Sequence, residues 1–227
     1  MSIGTLGEKS LHAGLKEWVS QPGDEFEVKV DGFIIDIVRD QTLIEIQTRH
    51  LYAMKRKLTK LLANGYEIQL LHPIAQEKWI VRETAVGEAI SRRKSPKRGK
   101  TIDIFKELLY ITDLILHPHL TIQVLLTQEE EILRDDGKGS WRRKRWSVYD
   151  RRLLNVGKEA RFTQAEDYLA VIPDGLERPF TNKQLAHALN CRPALATKIT
   201  YTLRQMGLLE ILGKQGRSYS YQIKVTV

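Results

Sequence analysis

Three polar side chains in the stretch from Gly32 to His50 have the types and spacing to do chemistry. Asp36, Glu45 and Gln47 each lie in an apolar, β-branched run, and such a run predicts a β-strand. Mg²⁺ and Mn²⁺ prefer oxygen ligands, and Mg²⁺ is often bound by one or two carboxylates and several waters. If the two runs pair, they could therefore present a divalent-metal site.

The two runs flank a two-residue loop at 40–41 and predict a β-hairpin. In that register, Asp36 on the first strand lies directly opposite Glu45 on the second, and Gln47 shares their face because side chains alternate along a strand. The other face is predicted to pack in the core, and it carries Ile35, Ile37, Ile44 and Ile46.

Directly opposed carboxylates have Cβ atoms about 5 Å apart and repel each other. A cation between Asp36 and Glu45, such as Mg²⁺ or Mn²⁺, would relieve that repulsion. The alternative is a solvated polar face on which Arg39 or Arg49 neutralises the acids. The hairpin by itself leaves both interpretations open.

Composition restricts the class of protein and its partners. The chain has 227 residues, enough for one large or two small domains, and a formal net charge of +8, which predicts a polyanionic partner, nucleic acid before membrane. Cys191 is the only cysteine, so a disulfide within the chain is excluded and a cytoplasmic location is expected. No apolar run approaches the length of a membrane span, and the N-terminal sequence lacks a signal-peptide core.

The elements around the hairpin are predicted in the order α-β-β-β-α-β. Their bounds are a helix from the capping box Thr5–Glu8 to Val19, strands at 25–30, 33–39 and 42–47, a helix at 51–64 closed by Gly65, and strands at 66–72 and 77–82.

This order, with acids in the second and third strands, resembles the PD-(D/E)xK nuclease superfamily, which has the restriction-endonuclease-like α/β fold. The resemblance covers residues 5–85 and implies that Asp36 and Glu45 bind Mg²⁺ or Mn²⁺, with Glu8 of the first helix assisting. It also implies that His12, one turn further along that helix, contacts the substrate or the scissile phosphate. Without the resemblance, Glu8 simply completes a capping box and His12 is a surface or packing histidine.

Gln47 departs from the family pattern, which usually has Lys at this position. Some restriction endonucleases of the superfamily carry Gln there, so activity is compatible with it. However, Gln has no positive charge to stabilise a developing phosphorane. Lys29, Arg49 or Lys55 could supply that charge from a neighbouring position. Gln47 could also be an ordinary polar strand residue.

The region that follows is basic and less regular. Six basic residues between Ser91 and Lys100 predict an exposed loop or linker. Arg142, Arg143 and Arg145 lie between two tryptophans, a mixture that suits nucleic-acid contact, although the tryptophans could instead be core. The remaining predictions are helices at 102–116 and 162–172, a strand at 120–127 and a solvated acidic edge at 129–136.

The C-terminal part, 175–227, resembles a winged helix-turn-helix domain. A capping box from Thr181 to Gln184 opens one helix, a second helix is predicted at 194–208, and strands at 209–212 and 218–223 enclose a glycine-rich basic loop. The resemblance implies that the second helix reads the major groove of DNA and that the loop is a wing. The implied contacts are Thr197, Lys198, Tyr201, Arg204 and Gln205 on the helix, and Lys214 and Arg217 on the wing.

These inferences combine into an α/β protein with a nuclease-like core at 1–90 and a winged helix at 175–227. The basic region at 91–174 either completes the nuclease domain or forms a module of its own. The expected function is metal-dependent hydrolysis of DNA, with double-stranded DNA as the partner. The alternative is a non-catalytic DNA-binding regulator on a nuclease-like scaffold. An RNA-directed nuclease stays open, and so does a winged helix that makes protein contacts or a homodimer.

Overall fold

The computed structural model describes residues 10–138 and 146–224. The protein is a mixed α/β protein that contains a seven-stranded and a three-stranded sheet. It forms two compact units: unit 1 comprises residues 10–48, Leu71–Thr101 and Val124–Ala160, and unit 2 comprises Arg49–Leu70, Ile102–Gln123 and the described residues from Arg161 onward. The division into 1–90, 91–174 and 175–227 stays a prediction.

The helices and strands follow one another in an order close to the predicted one. Their bounds are α1 Ser10–Val19, β1 Glu25–Val30, β2 Phe33–Arg39, β3 Thr42–Ile46, α2 Lys55–Ala63, β4 Glu67–Glu83, β5 Ala89–Lys94, α3 Phe105–Leu108, β6 Leu120–Arg134, β7 Ser147–Phe162, α4 Ala165–Leu169, β8 Phe180–Thr181, α5 Asn182–Ala188, α6 Pro193–Gln205, β9 Leu209–Gln215 and β10 Ser218–Ile223. Short 3₁₀ helices, Leu51–Met54 and Thr101–Ile104, precede α2 and α3.

The large sheet has the strand order β1-β2-β3-β4-β6-β7, and β5 pairs with β4. Strands β1, β2 and β3 form an antiparallel meander. Its first turn is Asp31-Gly32, in which both residues have positive φ, 49° and 86°. Two positive φ values fit the twist of a tight hairpin, and Asp-Gly tolerates them well.

The predicted register of the second hairpin is confirmed. Ile37 pairs with Ile44, Val38 with Leu43, and Arg39 with Thr42. The ladder of β2 and β3 ends at Ile37 with Ile44, one step before Asp36 and Glu45, so the pairing of those two acids stays a prediction. The four isoleucines predicted to face the core, at positions 35, 37, 44 and 46, are all buried.

Helix α1 covers the isoleucine face of unit 1. Leu11 and Leu15 are fully buried and form one apolar cluster with Ile37, Ile44, Ile46, Leu71 and Leu125. Gly14 lets the helix approach β7, because a Cβ atom there would lie 3.0 Å from Cβ of Leu153. The helix therefore packs across β2, β3, β4, β6 and β7, and its side chains have defined positions relative to the hairpin.

Several predicted elements in the middle of the chain are wrong. The strands expected at 66–72 and 77–82 are one continuous strand, β4, because the ladder runs through Pro73. The expected linker at 91–100 contains β5, whose cations pair with neighbouring carboxylates: Arg92 donates to Glu130 at 2.7 Å and Lys94 to Glu77 at 2.9 Å.

The acidic segment at 129–136 is not a solvated edge. It continues strand β6, in which Glu129 and Ile132 are each 1% exposed. The helix expected at 102–116 is shorter, since a 3₁₀ turn and α3 end at Leu108. The helix expected at 162–172 spans only Ala165–Leu169. Strand β7 was not predicted, because its many exposed charged residues hide the alternation of a strand.

The C-terminal part of unit 2 contains β8, α5, α6, β9 and β10, and its three strands have the order β8-β10-β9. The predicted capping box is present, since the hydroxyl of Thr181 accepts from the amide of Gln184. Pro193 begins α6 as predicted. The buried residues of α6 are Leu195, Ala196, Ile199, Thr200, Thr202 and Leu203, so its other face is open.

Candidate functional site

Asp36 is held in a defined position by two hydrogen bonds to one of its oxygens. Nε2 of His12 lies 3.2 Å from Oδ2 of Asp36, and the amide of Ile46 donates to the same oxygen at 2.8 Å. The side chain of Asp36 therefore accepts a hydrogen bond from a backbone amide of β3 just beyond the last ladder pair, Ile37 with Ile44. A single half-buried carboxylate thus connects α1, β2 and β3.

The carboxyl group of Asp36 is ionised near neutral pH. Burial raises the pKa of Asp36, but the hydrogen bonds from His12 and from the amide of Ile46, together with the charges of His12 and Lys16, lower it by more. The net result is a pKa below the ordinary aspartate value. Because an ionised carboxylate can only accept hydrogen bonds, Nε2 of His12 must carry the hydrogen.

Glu45 faces the interior. It is only 4% exposed, and its neighbours in β3, from Leu43 to Ile46, are also buried. The interpretation of this face as a solvated surface is therefore wrong. Arg39 does not neutralise the acids, because it forms a two-fold hydrogen-bonded ion pair with Asp24, both contacts at 2.8 Å.

Gln47 lies at the end of β3, where two other strands of unit 1 contribute basic side chains. Nδ1 of His72, on β4, donates to the carbonyl oxygen of Gln47 at 2.7 Å. Nη2 of Arg151, on β7, donates to the carbonyl oxygen of Thr48 at 3.4 Å. The guanidinium of Arg151 also lies 3.6 Å from the carboxylate of Glu129.

Helix α1 begins beside this group. The amide of Ser10 donates to Oδ1 of Asp150 at 3.3 Å, and the hydroxyl of Ser10 donates to Oδ2 of the same residue. The first turn of α1 thus contacts β7 through Ser10 and β2 through His12. Glu8, the predicted third acid, lies outside the described residues.

Among the described residues, no group of three or more histidine, cysteine, aspartate or glutamate side chains could hold a metal ion. The two strands of the hairpin carry one carboxylate each, a half-buried one at Asp36 and a buried one at Glu45. Mg²⁺ is often bound through one or two carboxylates and keeps several waters.

A comparison with known families applies to this part of the chain. Residues 9–163 match the family described as Domain of unknown function (DUF8091). The chain belongs to the DUF8091 family. The matched range includes α1, the whole seven-stranded sheet and the residues of the candidate site, whereas α5, α6 and the three-stranded sheet lie beyond it.

A relative of this DUF8091 protein resembles it over nearly its whole length. A protein of Treponema pallidum (strain Nichols), named "Uncharacterized protein", is 32% identical over 226 residues, which is 98% of this chain and 88% of the relative. The similarity thus extends past the DUF8091 range into the C-terminal part. No solved structure matches the chain.

The second candidate surface of the DUF8091 protein is the open face of α6 in unit 2. Tyr201 is 45% exposed, Arg204 is exposed, and Lys198 is half-buried. Thr197 and Gln205 are also exposed, so the predicted residues share one face of the helix. On the β9–β10 hairpin, Lys214 lies 5.4 Å from the ring centre of Tyr219, and Arg217 is exposed at the turn.

The other predicted basic residues have different positions. Lys55 pairs with Asp113 in unit 2, with Nζ 2.9 Å from Oδ1. Arg142, Arg143 and Arg145 lie outside the described residues. Trp146, at the end of that cluster, is half-buried. The guanidinium of Arg82 lies over its indole ring, with Cζ of Arg82 5.3 Å from the ring centre.

Sequence reasoning missed the contribution of β6 and β7 to the candidate site. Glu129 and Arg151 are separated from the hairpin by more than 80 residues, and the segments that carry them were not predicted as paired strands. A basic residue in a charged segment gives no signal for burial against a distant carboxylate.

No helix in the described part of the chain is long and apolar enough to cross a membrane.

Proposed function

We propose that the protein is a metal-dependent DNA endonuclease of the PD-(D/E)xK type. The observation that carries this proposal is the ionised, half-buried carboxylate of Asp36 on β2, held by His12 and by the amide of Ile46 in the strand that carries Glu45. The order α1-β1-β2-β3-α2-β4, with β1, β2, β3 and β4 adjacent in one sheet, supports the same assignment.

Asp36 and Glu45 would hold Mg²⁺ or Mn²⁺. The contacts of Asp36 described above involve Oδ2, so Oδ1 is the oxygen proposed to face the ion. A bound divalent ion would supply a water of lowered pKa and would shield charge on the phosphate.

The chain's own residues would orient the substrate and the attacking water. Gln47 can both donate and accept hydrogen bonds, so it can position a water molecule but cannot supply charge. His12 fixes the orientation of the Asp36 carboxylate through their hydrogen bond. Rigid placement of reacting groups is itself a large part of catalysis.

The C-terminal part would bind duplex DNA as a winged helix. The element order β8-α5-α6-β9-β10 and the sheet order β8-β10-β9 support this assignment. The basic and aromatic residues on the open face of α6 would enter the major groove, and Lys214 and Arg217 would contact phosphates. Arg204 and Lys198 are the residues proposed to contribute most of the charge.

The second candidate is a DNA-binding regulator without catalytic activity. Gln47 favours this candidate, because the end of β3 lacks the lysine that the nuclease superfamily usually has there. A regulator would keep the DNA contacts of α6 and the wing but would not require the carboxylate pair to bind a metal.

Cleavage of supercoiled plasmid in Mg²⁺ or Mn²⁺ tests the proposal. We expect metal-dependent nicking by the wild type and none by a double variant, Asp36→Ala with Glu45→Ala. Nicking that survives in the double variant would exclude the hairpin as the active site. Salt-sensitive duplex binding without cleavage by the wild type would favour the regulator. Comparison with a matched RNA duplex identifies the nucleic acid.

A further inference from the structure

Arg151 is a half-buried cation next to the end of β3. Its Nη2 atom donates to the carbonyl oxygen of Thr48 at 3.4 Å, and Thr48 directly follows Gln47. The side chain of Arg151 is 14% exposed, so part of it is accessible to a ligand. A guanidinium group keeps its positive charge at every physiological pH.

A buried carboxylate orients this guanidinium. Oε2 of Glu129 lies 3.6 Å from Nη1 of Arg151, and the side chain of Glu129 is only 1% exposed. The other oxygen of Glu129, Oε1, accepts from the hydroxyl of Thr127 at 2.6 Å. Because a buried charge is costly unless it is compensated, Glu129 keeps the guanidinium close to it.

The backbone of Arg151 is fixed to the start of α1. Its amide donates to Oδ1 of Asp150 at 2.7 Å, and the same oxygen accepts from the amide of Ser10. Ser10 is in the same helical turn as His12, which binds Asp36. The side chain of Asp150 therefore links the backbone of Arg151 to the turn of α1 that also carries His12, the partner of Asp36.

We propose that Arg151 binds the phosphate at which cleavage occurs and supplies there the positive charge that Gln47 lacks. This inference rests on the proposed nuclease function. Phosphodiester hydrolysis accumulates negative charge on the phosphate oxygens, and a fixed cation is more favourable there than one that must reorganise. A guanidinium can donate two parallel hydrogen bonds to two phosphate oxygens.

A guanidinium has five N–H donors, so Arg151 can bind phosphate oxygens while it keeps its contact with the carbonyl oxygen of Thr48 and its ion pair with Glu129. A hydrogen bond from a charged guanidinium to a phosphate is charge-assisted and therefore stronger than one to a neutral carbonyl oxygen.

Plasmid cleavage by variants of the full chain tests the role of Arg151. We expect Arg151→Ala to lower kcat by about 100-fold, a loss typical of removing one group that stabilises the transition state. We expect KM and the affinity for duplex DNA to change little, and we expect added guanidinium ion, at concentrations below those that unfold proteins, to restore part of the rate. Arg151→Gln, which keeps a polar side chain without charge, should show the same loss of kcat.

The controls separate a role in the reaction from a role in folding. Arg134→Ala removes a guanidinium that forms another ion pair of unit 1, with Glu83 at 2.8 Å, and should leave kcat unchanged. A lower Tm for Arg151→Ala together with no rescue by guanidinium would show a structural role and overturn the inference. If Arg151→Ala does not fold, the cleavage rate of Arg151→Gln tests the inference instead. A wild-type rate in Arg151→Gln would overturn it.

The outcome for the wild type distinguishes the two proposals. If the wild type cleaves plasmid and the folded Arg151 variants cleave equally well, the inference about Arg151 is wrong and the nuclease function stands. If the wild type does not cleave in any divalent metal tested, the nuclease function is wrong, and the role of Arg151 is wrong with it.

Discussion

Nε2 of His12 lies 3.2 Å from Oδ2 of Asp36, and this contact joins the first helix of unit 1 to the second strand of its sheet. The amide of Ile46 donates to the same oxygen, so one carboxylate also takes a donor from the third strand. Burial raises the pKa of Asp36, whereas the two hydrogen bonds lower it. The change in this pKa when a donor is removed can be measured whatever the function of the protein is.

The His12→Ala variant should raise the pKa of Asp36. Burial raises the pKa of this carboxyl group, and the hydrogen bond from His12 is the largest of the effects that lower it. With His12 removed, burial is opposed only by the amide of Ile46 and the charge of Lys16. Titration of the ¹³C-labelled carboxyl group by NMR measures the change. His187→Ala, in unit 2, is the matched control, and an unchanged pKa in His12→Ala would contradict the arrangement.

The lowered pKa of the Asp36 carboxyl group predicts how the stability of the fold depends on pH. The pKa of Asp36 is lower in the folded protein than its reference value of 3.8, so the ionised group contributes stability that is fully present above that value. This contribution is lost as the pH falls through the folded pKa. The difference in free energy of unfolding between wild type and Asp36→Asn should therefore shrink in that acidic range, and chemical denaturation at several pH values measures it.

Removal of either hairpin carboxylate should weaken metal binding. Since the proposed site has only two protein carboxylates, Asp36→Asn or Glu45→Gln would leave one, and we expect Mn²⁺ binding to become undetectable by calorimetry at concentrations that saturate the wild type. Asp24→Asn is the control, because it removes a carboxylate of the same unit that binds Arg39. Equal Mn²⁺ affinity in all the variants would place any metal site elsewhere.

Sequence patterns predicted the hairpin well because its determinants are local. The two-residue loop at 40–41 and the alternation of isoleucines specify strand pairing over a few residues, and the register of Ile37 with Ile44 is the predicted one. The capping box at Thr181 and the proline at 193 are equally local signals, and both are present. The helix at 51–64 was correct for the same reason, since Gly65 closes it with a positive φ of 84°.

The contributions of β6 and β7 could not be predicted because they depend on distant partners. Glu129 is buried next to Arg151 and Thr127, and nothing adjacent to it in the sequence indicates this environment. Likewise, Arg92 and Lys94 look like a solvated basic run until β4 and β6 supply their carboxylates. Charged segments were assigned to loops on composition, and tertiary pairing overrode that signal.

Thr181→Ala should lower the free energy of unfolding of unit 2 by about 1 kcal/mol, the usual cost of losing an N-cap side chain. The hydroxyl of Thr181 accepts from the amide of Gln184 at 3.3 Å, and the amide of Thr181 donates to the side chain of Gln184 at 2.8 Å. Thr197→Ala is the control because this exposed threonine only donates to a carbonyl oxygen in its own helix. Urea denaturation compares them, and an equal effect of the two substitutions would contradict a capping role.

Arg204→Ala should weaken the binding of duplex DNA and reduce its dependence on salt. Arg204 is exposed on the same face of α6 as Tyr201. If Arg204 contacts a phosphate, its loss should lower the slope of log affinity against log salt by about 1. If it contacts a base edge instead, the loss of affinity should depend on DNA sequence while the slope changes less. Fluorescence anisotropy at four salt concentrations separates these outcomes. Arg161→Ala, which removes an exposed arginine of unit 2 outside α6, should change neither quantity, and equal effects of the two substitutions would argue against α6 as the DNA-binding helix.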